Sequence, residues 1–161
     1  MLWPMTTQTA PHRDRPARAS VALDPALRAI RCEVARWALN VGQPLNLDAI
    51  TVILGARHAE AVTEGRAFNR WTTNSVLTFL FGTADHWCDR QRVASPLHLG
   101  ESLLTYINFL ADAGVLAPGS STLRQLQNTI SDLAGLTPTG HRAATGDRGV
   151  AVPTPLHRPG Q

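Results

Sequence analysis

Five times between residues 21 and 136 the chain repeats one pattern: an apolar stripe at helical spacing, opened by a capping residue and, in all but the third, closed by a glycine. Proline is kept out of the interior of every stripe. Apolar residues spaced by three and four share one face of a helix, and such faces must be buried against one another. The pattern therefore predicts an all-α domain, a compact bundle of about five helices around one core.

The first segment starts at Asp24-Pro25, where a carboxylate caps free amides and the missing proline N–H costs nothing. Leu27, Ile30, Val34, Trp37 and Val41 recur along it, and Gly42 and Pro44 stop it. The second runs from Leu47 to about Thr63, capped by Asn46 and ended by Gly65, with Ile50, Ile53, Leu54 and Ala61 as its buried set. Gly55 weakens it by about 1 kcal/mol.

A third segment follows Trp71-Thr72-Thr73 through Val76, Leu77, Phe79, Leu80, Phe81, Ala84, Trp87 and Cys88. It is apolar nearly all round, which suits either the centre of the bundle or a face shared with a partner. The central place is the favoured expectation, and any surplus of Phe79, Phe81 and Trp87 would form a contact patch. Gly82 marks either a close helix approach or a break. Ser95-Pro96 opens the fourth segment, with Leu103, Leu104, Ile107 and Leu110 inside and Gly114 at its end. The fifth starts near Ser120 or Ser121 and carries Leu123, Leu126, Ile130 and Leu133 up to Gly135. A short loop makes the last two an antiparallel hairpin.

Outside this block lie two tails, 1–20 and 137–161, which hold seven of the eleven prolines and lack apolar periodicity. Both are expected to be disordered. Each carries three Arg against one Asp, so the net charge of +3 resides in the tails, and the block between them has nine Arg against ten acids. The folded part is not basic, as a domain that grips phosphate backbones usually is. All fifteen cations are Arg, so neither a phosphate-loop lysine nor a Schiff-base lysine exists in the sequence. Two cysteines, no apolar run of 18 residues and no charged leader before an apolar stretch point to a cytoplasmic protein without a membrane span.

The pattern Trp71-Thr72, Trp87-Cys88, Leu104-x-x-Ile107-x-Phe109-Leu110, Gly114-x-Leu116-x-Pro118-x-Ser120 and Leu123 resembles a group of small uncharacterised actinobacterial proteins over residues 70 to 136. That resemblance implies a helical domain and no particular activity. The stretch Leu104 to Ile130 also looks like the helical core-binding domain of tyrosine recombinases, through Tyr106-x-x-Phe109-Leu110 before a glycine and a Thr-Leu helix start. The catalytic half of such enzymes is absent from the sequence, and Tyr106, the one tyrosine, sits within a predicted helix.

Catalytic and metal motifs are incomplete. His58-Ala59-Glu60 looks like the H-x-E element of zinc deaminases, but no paired cysteines follow it. His86-x-Cys88 could join Cys32 and His58 or His98 only without the paired spacings that zinc sites use. No G-x-S-x-G elbow occurs. The sequence thus predicts neither catalytic residues nor a metal or cofactor.

What it predicts is a non-enzymatic interaction or regulatory protein acting through a helical surface, either the helix at about 73–90 or the hairpin at 97–135. The partner would be another protein or a second copy of the chain. The alternative is DNA binding by the helix at 121–134, with Arg124, Gln125, Gln127 and Asn128 facing base edges and the basic tails assisting. Nucleic acid is the less favoured partner, because the loop before that helix is too long for a helix-turn-helix and Arg124 is its one cation.

Overall fold

A computed structural model describes residues 23–136. The tails expected to be disordered, 1–20 and 137–161, lie outside the described residues. Within them the chain forms α1 (Pro25–Val41), α2 (Leu47–Glu64), α3 (Thr73–Thr78), a π-helical turn (Phe79–Thr83), α4 (Ala84–Gln91), α5 (Leu99–Asp112) and α6 (Leu123–Ala134). α3, the π turn and α4 are continuous, so the bundle has five helical segments and no strand among the described residues. None of its helices is long and apolar enough to cross a membrane.

Local chemistry explains most of the boundaries. Asp24 accepts from the Leu27 amide, with Pro25 in the first turn, and Asn46 accepts from Asp48 and Ala49. Gly42, Gly65 and Gly135 end α1, α2 and α6 in the left-handed conformation that costs glycine nothing.

Two expected starts differ. Ser95 does not cap α5; its hydroxyl donates to Asp85 Oδ1 at 2.8 Å, tying the loop back to α4, and α5 begins three residues after Pro96 without a side-chain cap. α6 is capped by Thr122, whose side chain accepts from the Gln125 amide while Gln125 bonds back to the Thr122 amide. Ser120 and Ser121 instead accept from the amides of Trp71 and Thr73. Ala117 N donates to Asn69 O and Ser121 N to Trp71 O, so the loop before α6 is laced to the loop before α3.

The centre of the bundle is α2, not the third segment. Residues 49–57 of α2 are buried without interruption, enclosed by α1, α5 and α4. The third segment has an outer side: Leu77 is 46% and Phe81 68% exposed. Phe79 and Trp87 were expected as contact candidates and lie in the core instead. Phe79 sets its edge on Trp71 at 5.5 Å, and Trp87 fills the space that Gly55 leaves open on α2. A Cβ at Gly55 would collide with that indole, whereas a Cβ at Gly82 would meet nothing. Gly82 therefore marks neither a close approach nor a break, and the chain passes it in the wider π turn.

α5 and α6 pack as the expected hairpin, with Leu126 and Ile130 fully buried and Gly100 against Ala134. Along α1, Leu27 and Val34 are core residues, but Val41 at its end is exposed. Trp37 holds α1 to α5 by donating from Nε1 to Asp112 Oδ2 at 2.8 Å and by an edge contact with Phe109.

Candidate functional site

Arg57 lies on the buried stripe of α2, in register with Ile50, Ile53, Leu54 and Ala61. Its side chain is 4% exposed. A guanidinium cannot be neutralised at ordinary pH, so burying it requires partners. Nη1 donates to Glu60 Oε2 at 2.5 Å, Nη2 donates to the Arg70 carbonyl at 2.5 Å, and the planar head lies 4.3 Å above the Trp71 ring. Glu60 is fixed in turn by Thr83 Oγ1, which donates to its other oxygen at 3.0 Å. The Nε–H of Arg57 has no acceptor.

Beside this group is a cavity of about 230 Å³ lined by Arg57, Arg66, Arg70, Thr72 and Ser75. Arg66 is exposed and holds Glu64 through Nε at 2.7 Å. Arg70 donates from Nε to the Gly119 carbonyl at 3.3 Å, which fixes it to the laced loops. Thr72 Oγ1 accepts from the Ser75 amide, and Ser75 Oγ accepts from the Thr72 amide and donates to its carbonyl. No carboxylate lines the cavity.

Sequence reading passed over these five residues as a site. One signal was available: Arg57 is a cation at a stripe position otherwise occupied by aliphatic side chains. Its partners Arg70 and Trp71 lie in a loop 13 and 14 residues away, and helical spacing says nothing about their approach.

The sequence-derived candidates are dispersed. Of Phe79, Phe81 and Trp87, only Phe81 reaches the surface, one turn from Leu77. Arg124 and Asn128 are exposed on α6. Gln125 is committed to the cap of α6, and Gln127 donates to Asn108 Oδ1 at 2.8 Å across the hairpin. His58 is exposed with its ring against Phe68, while Glu60 of the same H-x-E element serves Arg57. His86 is exposed and Cys88 buried, so the pair diverges, and Cys32 is exposed on α1. Among the described residues no three His, Cys, Asp or Glu side chains gather where they could hold a metal ion.

Two buried groups have shifted titration. Burial pushes the Cys88 thiol up, the Ser95 hydrogen bond works against that, and Asp85 and Asp89 add to the rise. Burial also pushes the Tyr106 phenol up, partly opposed by the charge of Arg57. Both groups are thereby held neutral.

The chain matches no family model, no curated protein and no solved structure.

Proposed function

We propose that this chain is a non-enzymatic binding protein that acts by contact with another protein through the outer side of α3 and the π turn. The observation that carries the reading is Phe81, a large aromatic side chain 68% exposed one turn after the half-exposed Leu77. Full burial of an exposed side chain of this size contributes about 1.5 to 3 kcal/mol, and these two, already partly covered, would contribute roughly half to two-thirds of that each. A π turn lies under this patch and departs from regular helical bonding, a feature common at functional positions in helices. Four of the ten acids among the described residues, Asp24, Glu60, Asp85 and Asp112, are occupied in holding the fold together. The DNA alternative draws less support, because Gln125 and Gln127 are held by Thr122 and Asn108 and leave Arg124 and Asn128 as the exposed polar pair.

The test places a photo-crosslinking amino acid at position 78, beside the patch, in the cell of origin. It also measures sedimentation of the purified chain over a hundredfold concentration range. A discrete crosslinked species or a concentration-dependent dimer that disappears in Leu77→Ser/Phe81→Ser supports the reading. A monomer at every concentration, with no crosslink sensitive to those two substitutions, refutes it.

A further inference from the structure

We propose that the cavity lined by Arg57, Arg66, Arg70, Thr72 and Ser75 is a binding site for a phosphoryl dianion. The inference stands apart from the contact patch and rests on four observations.

The first is the chemistry of the lining. All three ionisable residues lining the cavity are guanidiniums, and the acids that pair with two of them, Glu60 and Glu64, are not part of the lining. Thr72 Oγ1 accepts from the Ser75 amide, which leaves its own O–H to donate elsewhere. Among the described residues the terminal nitrogens of Arg66 and Arg70 hold no hydrogen bond, each head being fixed through Nε. A wall made of donors matches a ligand made of acceptors.

The second is preorganisation. Arg57 is clamped by a carboxylate, a carbonyl and an indole face, so its position is already determined when a ligand arrives, and exposed Arg70 is held toward the same place by one bond to Gly119. A guanidinium held in place at a buried position, as Arg57 is, interacts with an anion more strongly than the same charge on a mobile surface side chain.

The third is size. About 230 Å³ lies below the roughly 300 to 1,000 Å³ of pockets that enclose a drug-sized ligand. It suits one tetrahedral group with a few waters, or the terminal group of a molecule that stays outside.

The fourth is the balance of charge and direction. Glu60 and Glu64 pair with Arg57 and Arg66, which leaves Arg70 uncompensated by any carboxylate. A phosphoryl group carries about −1.5 to −2 at pH 7 and offers three terminal oxygens. Arg57 on α2, Arg66 and Arg70 on the loop that follows it, and the Thr72 hydroxyl at the start of α3 surround the cavity with donors for those oxygens, whereas a planar carboxylate would satisfy a single guanidinium fork.

The experiment is titration calorimetry of the full chain at low ionic strength with inorganic phosphate, with phosphoserine blocked at both ends, and with sodium acetate. Saturable binding at one site is expected, about 10-fold or more tighter for a phosphoryl probe than for acetate. Tighter phosphate identifies the free ion as ligand, and tighter phosphoserine identifies a phosphomonoester. Arg66→Gln removes an exposed arginine whose bond is to exposed Glu64, so the fold is retained, as an unchanged melting temperature in ligand-free buffer will verify. It should weaken binding about 5- to 10-fold, while Arg124→Gln on α6 leaves binding unchanged. Absence of saturable phosphoryl binding, equal affinity for acetate, or equal weakening by the two substitutions overturns the proposal.

Discussion

Replacing glycine by alanine at positions 55 and 82 makes the same chemical change in two helical settings, and the structure predicts opposite signs. Both residues lie at negative φ, so the methyl itself meets no backbone restriction. In a helix the exchange alone contributes about 0.5 to 1 kcal/mol of stability, largely by reducing the freedom of the unfolded chain. At Gly82 a Cβ meets no atom within 4 Å, so this gain should appear whole. At Gly55 the Cβ would overlap ring atoms of Trp87, an indole only 6% exposed, wedged between α2 and α4. A buried ring cannot swing aside as the end of a flexible side chain can. Overpacking of this kind costs about 1 to 3 kcal/mol, and contact with two ring carbons places the site near the upper end. After subtracting the helical gain, Gly55→Ala should lose about 2 kcal/mol. The assay is equilibrium unfolding in urea followed by far-ultraviolet circular dichroism, where the midpoint should fall for Gly55→Ala and rise slightly for Gly82→Ala with unchanged slope. Equal midpoints for the two variants, or a loss at position 82 larger than at 55, would refute the packing of α2 on α4 described above.

Leu126→Ala should cost about 2 to 5 kcal/mol, because the side chain is fully buried between α6 and the rest of the core; a loss under 1 kcal/mol in the same urea assay contradicts that burial. Arg57→Ala should be worse than an exposed arginine deletion by about 3 kcal/mol or more, since it leaves Glu60 half of a broken buried pair and takes the cation from the Trp71 face. Thermal melts of Arg57→Ala and Arg90→Ala side by side measure this directly. Ellman's reagent should modify Cys32 promptly in the native protein and Cys88 only on unfolding; two rapid equivalents would count against the core position of Cys88. Cys88 and Tyr106 both have folded-state values raised by burial. Their contribution to stability is complete below the ordinary thiol and phenol values of about 8.5 and 10, and is lost as pH rises beyond them. Urea midpoints should therefore decline between pH 8 and 11, and a flat profile would show that neither group is buried as described.

Helices and their ends were legible in the sequence because capping acts within four residues. Asp24 with Pro25, Asn46, and the glycines at 42, 65 and 135 each meet their partners along the same stretch of chain, and the Leu126 and Ile130 stripe is buried as its spacing predicts. Where a local rule had two candidates, tertiary contacts chose: Ser95 went to Asp85, and Ser120 and Ser121 went to the α3 loop, leaving Thr122 to cap α6. Which helix is enclosed also depended on distant neighbours. α2 and the third segment are both strongly apolar, and a missing Cβ at Gly55 drew Trp87 inward while nothing covered Phe81. The arginine cavity lay furthest from sequence reach. Arg57, Arg70 and Thr72 come from a helix, a loop and a cap, and they converge because the loop at 117–121 pins the loop at 69–73 beneath α2. Periodicity reports which side of a helix avoids water; it carries no information on which loop comes to rest against that side.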